Sequence, residues 1–323
     1  MKGRHARSPR PDTSTADRLD GLVVATHGRH VVVETPDGER RICHPRGKRN
    51  EAVVGDRVWW IPSADEGTIE AVQARENLFY RQDEVRTKSF AANLDQLLIL
   101  LAAEPEFSER QLARALIAAE DAGITPMIGL NKQDLTEPFA RAWERLAPYR
   151  AMGYAVLPLW LKPGETGADN ATLPPLDQRL QGHRTLVLGP SGVGKSTLIN
   201  HWVPHALAQT GEISTALNSG KHTTTSTLWY WTDASHQTAL IDSPGFQEFG
   251  LHHIQVQRLA WLMPDIRAHL GQCKFQNCTH RHEPGCGVIS EMKNASSALY
   301  ISANRYQIYC ELYEELAQIK HWT

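Results

Sequence analysis

Nine consecutive residues constrain this chain more than any others: Gly189-Pro190-Ser191-Gly192-Val193-Gly194-Lys195-Ser196-Thr197. They fit the pattern G-x-x-x-x-G-K-[ST]. The run before them, Arg184-Thr185-Leu186-Val187-Leu188, is short and mostly apolar and reads as a buried strand, while residues 196–202 read as the first turns of a helix. Strand, glycine loop and helix N-terminus together aim successive backbone N–H groups at one point, backed by the partial positive charge of the helix. The group that suits such a point is a phosphate. In this arrangement Lys195 reaches the β- and γ-phosphates of a nucleoside triphosphate, and the Ser196 hydroxyl is a ligand to Mg²⁺. The bland reading, a glycine-rich turn that binds nothing, does not call for Lys-Ser at this offset between a strand and a helix.

The sheet around that loop is readable too. Residues 96–101 (Gln96-Leu97-Leu98-Ile99-Leu100-Leu101) form a strongly apolar strand, residues 108–122 carry helical spacing with Ser108 as N-cap and Gly123 as stop, and residues 124–130 form a second strand. Strand, helix, strand is the unit of a parallel sheet, whose ligands sit at the C-terminal strand ends. Asn131-Lys132-Gln133-Asp134 falls at such an end. Asp134 there would accept hydrogen bonds from guanine N1–H and the 2-amino group. Adenine offers neither, and a pocket left unpaired in that way discriminates by factors on the order of 10⁴. The Lys132 stem would lie over the base, and Asn131 would tie this loop to the phosphate loop. Alone the tetrapeptide is a weak signal; beside a phosphate loop it is a strong one. A third motif, Asp242-Ser243-Pro244-Gly245, ends the strand at 237–241. Asp242 suits the hydration shell of magnesium, and the Gly245 N–H can meet a γ-phosphate. Between the two phosphate-facing motifs lies Lys221-His222-Thr223-Thr224-Thr225, where Thr224 is the candidate to close onto the magnesium. Both loops would sense the γ-phosphate as switches do.

The motif order is unusual. Ordinary guanine-nucleotide switches carry the phosphate loop first and Asn-Lys-x-Asp later; here the order is reversed, so the expected fold is a circularly permuted α/β GTPase domain with a mostly parallel sheet. At 323 residues further domains are expected. Residues 1–18 are basic and poor in apolar groups, a disordered tail that touches RNA or is merely solvated. From 19 to about 80, five short strands alternate with turn signals, which suggests an N-terminal OB-type β-barrel. Its loop His44-Pro45-Arg46-Gly47-Lys48-Arg49-Asn50 makes Arg46, Lys48 and Arg49 candidate RNA contacts, although most charged loops are only solvated. A net charge of −2 excludes a uniformly basic nucleic-acid coat. No apolar run approaches a membrane span and no secretory signal precedes the barrel, so a cytoplasmic protein without membrane contact is expected.

Five cysteines remain, three of them crowded between 273 and 286. Cys273, Cys278, His280 and Cys286 form C-x4-C-x-H-x5-C. Three thiolates and an imidazole suit one closed, structural zinc ion; His282 is a less suitable alternative ligand. Cys43 and Cys310 read as small apolar groups. Residues 295–319 have helical spacing and are expected to pack on the zinc module.

The barrel, the permuted order, Ala92-Asn93-Leu94-Asp95-Gln96, the phosphate loop, Lys221-His222-Thr223-Thr224, Asp242-Ser243-Pro244-Gly245 and the cysteine cluster together resemble the bacterial ribosome small-subunit-dependent GTPase A family (RsgA). The likeness runs over nearly the whole chain from residue 19. It implies an OB-fold RNA-binding domain (19–82), a permuted GTPase domain (83–252) and a zinc-binding helical domain (253–323). It also implies a GTP hydrolase that joins the small (30S) ribosomal subunit and its rRNA late in assembly and leaves on hydrolysis, acting as a monomer with GTP and GDP. The same four zinc ligands are implied. One departure is Trp160-Leu161, where the family usually has Ser-Ser or Ser-Ala in the fifth guanine-contacting loop; a backbone N–H contact would survive there. Phe246 follows Asp-x-x-Gly where many switches carry a water-orienting Gln. His222 is therefore the catalytic candidate, and the resemblance points to the same residue; taken alone, a loop histidine is usually just solvated. Two rival readings are a GTP-stabilised RNA chaperone with incidental turnover and an ATP-dependent kinase. Asp134 and the lack of a phosphoryl-acceptor site disfavour the kinase.

Overall fold

The computed structural model describes residues 18–27, 30–47, 51–64, 66–161, 172–204, 206, 226–245, 249–292 and 300–319. Five strands wind the N-terminal barrel: β1 Leu19–His27, β2 His30–Glu34, β3 Arg40–Pro45, β4 Arg57–Pro62 and β5 Gly67–Val72. Their order is β1-β2-β3-β5-β4, closed by β4 pairing back onto β1, with β3 and β5 parallel and the rest antiparallel. This is the expected OB-type closure. Valines 23, 31, 33 and 58 fill it with Cys43, Trp60 and Ile69. Burial pushes the Cys43 thiol up to about 12, as expected of a cysteine used for packing.

Strand β1 is buried on both faces. Val23 points into the barrel, while Leu22 and Val24 join the larger core of the second domain. The contact is fastened by polar groups. Asn93 Nδ2 donates to the Gly55 carbonyl at 2.9 Å, Trp231 Nε1 to Glu34 Oε1 at 2.6 Å, and Ala25 is paired with Leu228.

A hairpin follows, β6 Leu78–Gln82 and β7 Thr87–Ala92, which the sequence does not announce. The expected domain boundary after residue 82 falls at its turn. The permuted sheet comes next: β8 Gln96–Ala102, α1 Glu109–Ala122, β9 Thr125–Asn131, α2 Thr136–Arg145, α3 Ala147–Ala151, β10 Ala155–Pro158, α4 Pro174–Leu180, β11 Arg184–Leu188, α5 Lys195–Trp202, β12 Leu228–Trp231 and β13 Ala239–Asp242. In space the order is β10-β9-β8-β11-β13-β12, parallel except for β12. Ser108 caps α1 and Gly123 closes it. All seven residues of β8 are buried, because helices and loops cover both faces of a parallel sheet. The phosphate-loop strand β11 lies in the middle, between β8 and β13.

Short pieces make the C-terminal region: 3₁₀ turns at Val256–Leu262 and Leu270–Gln272, α6 Pro264–Arg267, α7 Gly287–Glu291, and the longer α8 Ala303–Ala317. The helix expected over 295–319 is described from 303, residues 300–302 being outside it, and its expected first part at 295–299 lies outside the described residues. Ser302 accepts from the Arg305 N–H as N-cap, the local polar bond that starts this helix. Helix α8 is held by Arg305, 2% exposed, which pairs with buried Asp265 at 2.8 and 3.0 Å and lies over the Tyr149 ring. Glu311 and Glu315 of α8 accept from Arg110 and Arg114 of α1. Among the described residues no helix is long and apolar enough to cross a membrane.

Candidate functional site

The phosphate loop leaves the C-terminal end of β11 and turns into α5. Gly194, at φ +106°, occupies a backbone conformation that a side chain resists, and a Cβ there would lie 2.6 Å from Asn131 Nδ2. That close approach is functional. Asn131 is 2% exposed; its Nδ2 donates to the Val193 carbonyl at 2.9 Å, and its Oδ1 accepts from the Leu161 N–H at 2.9 Å. One amide thus joins the phosphate loop, the Asn131–Asp134 loop and the loop holding Trp160-Leu161. The Leu161 backbone N–H supplies this contact without help from its side chain. Gln133 N–H donates to the Leu159 carbonyl at 3.1 Å, and Asp134 is exposed. Lys132 stands at φ 67°, with its Nζ donating to the Glu104 carbonyl at 2.5 Å.

On the phosphate side, Lys195 Nζ donates to the Gly189 and Pro190 carbonyls, each at 2.8 Å. Moving onto phosphates would exchange two carbonyl oxygens for charged ones. Removal from water lowers the Lys195 pKa, with Asp242 opposing the shift. Asp242 shows the mirror effect: burial raises its carboxyl from 3.8 to about 6, against the pull of Lys195. Asp242 is 9% exposed and its Oδ1 has no hydrogen-bond partner among the described residues. A buried carboxylate oxygen with an open position, lining the same cavity as Ser196, fits the hydration shell of a magnesium ion. Ser243 Oγ donates to the Val187 carbonyl at 2.7 Å and anchors the start of this loop to β11. Gly245 stands close by, where a Cβ would be 3.3 Å from Lys195 Nζ.

The raised Asp242 pKa couples stability to pH. The folded protein binds this proton more tightly than the unfolded chain, so its share of stability is greatest below about pH 4 and declines as pH rises through about 6. The gap amounts to roughly 3 kcal/mol. In the nucleotide-free protein, Asp242→Asn should flatten the fall in thermal stability between pH 4 and 6 and be the more stable protein at pH 7. Parallel melting profiles for the two proteins would contradict this.

These groups open onto a cavity of about 1210 Å³. It is lined by the phosphate loop with residues 242–245, and also by residues of the β6–β7 hairpin and α1. The hairpin is bonded to the chain just beyond residues 242–245. Gln82 N–H donates to the Gly250 carbonyl at 3.1 Å, and His252 N–H to the Gln82 carbonyl at 3.0 Å. A Cβ on Gly250 would lie 2.3 Å from the Gln82 carbonyl oxygen, so this approach requires glycine. Phe79, Phe90 and Phe249 pack their rings between 5.6 and 6.0 Å apart, and Arg114 donates to the Phe249 carbonyl at 3.2 Å.

His222 and Thr224 lie outside the described residues, as do Phe246, Lys48, Arg49 and residues 1–17. Arg46 is described, and its guanidinium pairs with Glu70. Sequence reasoning does not find Arg81, Lys88 and Arg114, which reach the cavity from a hairpin and a helix without motifs. Strand-like alternation in 78–82 and 87–92 is the one signal that could have drawn attention to the hairpin.

Outside the residues that line the cavity, Cys273, Cys278, His280 and Cys286 come together with all ligand atoms within 4.8 Å of one another. Cys273 Sγ lies 3.4 Å from His280 Nδ1 and 4.0 Å from Cys286 Sγ, and Cys286 Sγ lies 3.6 Å from His280 Nδ1. A tetrahedron of Zn–S bonds near 2.3 Å has edges of about 3.8 Å, so the cage can hold a zinc ion. His280 sits at φ 60°, a conformation costly for histidine and sustained by the loop around it. Burial lowers its pKa, which favours the neutral ring a metal needs. Glu283 accepts from the N–H groups of Thr279, Arg281 and His282, while Tyr306 and Tyr309 of α8 donate to the carbonyls of His280 and Thr279. The expected packing of the last helix on this module is therefore present. His282 is not part of the cluster.

The model for the RsgA GTPase family matches residues 72–252. A Small ribosomal subunit biogenesis GTPase RsgA from Variovorax paradoxus is 66% identical over 318 residues, covering 98% of both chains. The protein of that name from Paraburkholderia xenovorans is 49% identical over 99% of both. Among solved structures, YjeQ from Thermotoga maritima aligns with TM-score 0.69 and 28% identity over 94% of this chain and all of that one. YloQ, described as a circularly permuted GTPase, aligns with TM-score 0.67 at 24% identity over 97% of this chain and all of that one, and supports the fold.

Proposed function

The chain belongs to the RsgA GTPase family, and we propose that it binds the small ribosomal subunit late in assembly and leaves it when GTP is hydrolysed. It is a GTPase with a circularly permuted fold. The reading of its site is supported above all by Asn131, whose amide ties the phosphate loop to the loop carrying Asp134. Across that junction Asp134 reads guanine, Lys132 covers it, and Gln133 completes the turn between them. Residues 189–197 hold the phosphates. Mg²⁺ is held by Ser196 and, through water, by Asp242, with Thr224 and the Gly245 N–H closing on the γ-phosphate side. The Cys273, Cys278, His280 and Cys286 cage holds zinc. In this reading the barrel (19–82) meets rRNA through Arg46, Lys48 and Arg49, and His222 places the attacking water because Phe246 cannot.

The test is multiple-turnover phosphate release from GTP, with and without purified small subunits. Stimulation is expected, a partner that completes a GTPase site supplying about 10³-fold or more in well-studied cases. His222→Ala should keep GTP affinity and lose most of the stimulation. Absence of stimulation would favour the rival reading, a GTP-stabilised RNA chaperone, and an unchanged stimulated rate in His222→Ala would remove that residue from catalysis.

A further inference from the structure

Barrel and permuted sheet meet along β1 and β12, where Ala25 pairs with Leu228 and Trp231 donates to Glu34. One further bond lies upstream of these. His27 Nδ1, at the end of β1, is hydrogen-bonded to Ser226 Oγ at 2.9 Å in a half-buried position. Ser226 directly follows Lys221-His222-Thr223-Thr224-Thr225 in the chain, and β12 begins only at Leu228. Among the described residues, this is therefore the barrel's hold on the chain nearest to Thr224. It adds little to a junction already fastened elsewhere, but it fixes the point at which the chain leaves residues 223–225.

His27 does not stand alone. The register sets His30 of β2 directly opposite it, so both side chains leave the same face. Val31 and Cys43 fill the barrel, which makes that face the outer one. The His30 ring meets the His44 ring of β3 edge to face, with centroids 4.9 Å apart and planes at 81°. His44 Nε2 is in turn hydrogen-bonded to Glu66 at 2.7 Å, and His44 opens the basic loop that carries Arg46, Lys48 and Arg49. Three imidazoles on three neighbouring strands thus run from that loop to Ser226. Coupling between distant sites is carried by chains of packed side chains and hydrogen bonds of this type.

We propose that His27 is a positioning residue for GTP hydrolysis: through Ser226 it sets the chain that carries Thr224, and seating of the barrel on RNA is passed to it through His44 and His30. His27 touches neither nucleotide nor attacking water and acts only through Ser226. The inference rests on the reading of the chain as a GTPase stimulated by the small subunit.

The experiment compares the full-length protein with His27→Ala, Ser226→Ala and the double variant. GDP affinity, affinity for purified small subunits, and turnover with and without saturating subunits are measured. Loss of one ordinary hydrogen bond supports a change of about two- to tenfold. Stimulated turnover should fall by that factor in each single variant and no further in the double one, because the two side chains act as a pair. Both affinities and the unstimulated rate should stay at the parent's level. His27→Asn, whose amide can stand where Nδ1 stands, should restore most of the loss, and His44→Ala should lower the stimulation in the same direction. The control is Trp231→Phe, which removes another bond across the junction, the one to Glu34, without touching Ser226. Full stimulation in His27→Ala would overturn the proposal, and so would additive losses in the double variant. An equal loss in Trp231→Phe would mark a junction merely loosened, and full stimulation in His44→Ala would cut the row from its loop; either overturns it. A fall confined to subunit or GDP affinity would give His27 to binding and overturn it as well. If His27→Ala does not fold, Ser226→Ala and His27→Asn carry the same comparison. A parent that subunits do not stimulate would defeat the functional reading and this proposal together, whereas a stimulated parent with unaltered variants defeats this proposal alone.

Discussion

Lys195→Ala should abolish nucleotide binding at working concentrations. Its ammonium is the cation inside the phosphate loop, already partly stripped of water and held by two backbone carbonyls. A charged hydrogen bond to phosphate is worth about 1.5–3 kcal/mol, and the lysine would make contacts to two phosphates, so the loss is expected at about 100-fold or more in affinity. The substitution also leaves Asp242 without the charge that opposes its protonation. Titration calorimetry with GDP and GTP checks this, with circular dichroism showing that the sheet persists. Affinity within a few-fold of the parent would detach residues 189–197 from the phosphates.

Metal removal should have the largest effect on stability. Between residues 256 and 291 the chain is built from 3₁₀ turns and helices of four or five residues, too short to stand without tertiary support. A structural zinc ion contributes on the order of 10 kcal/mol to such a segment. Without it, Cys278, which burial and neighbouring sulfurs push up to about 12, would hold its proton, and the four groups would no longer be drawn together. Cys286→Ser, or excess chelator, should melt the cage loop and loosen α8 while the barrel and β8–β13 stay folded. Hydrogen exchange resolved by segment reads this directly. Protection at residues 270–290 unaltered by chelator would show that the loop stands without metal.

Much of this was legible because the chemistry of a nucleotide site fixes residue types at fixed offsets. Asn131, Asp134, Lys195 and Asp242 announce themselves in that way, and their order along the chain already implied the permuted sheet. The barrel was legible through its turn residues, and α1 through Ser108 and Gly123. The hairpin at 78–92 was not. Its turn has neither glycine nor asparagine and is closed by the Asp83 carboxylate, a bond that cannot be told from a solvated charge run in one dimension. Helix α2 has Leu135 as N-cap with no side-chain bond, so it lacked a start signal. The part that α1 plays in lining the cavity was hidden for a related reason. Arg114 matters because Phe249 and Glu315, distant along the chain, meet at its guanidinium.

The central position of β11 sets the order in which the sheet can be built. Strands β8, β9 and β10 leave the synthesis machinery first, and the free edge of β8 must wait for a partner 89 residues behind it, as between Gln96 and Thr185. Every residue of that waiting strand is buried in the finished protein. A nascent chain paused between residues 160 and 184 therefore carries an unpaired hydrophobic edge, the stretch of its biosynthesis most exposed to mispairing and to capture by chaperones.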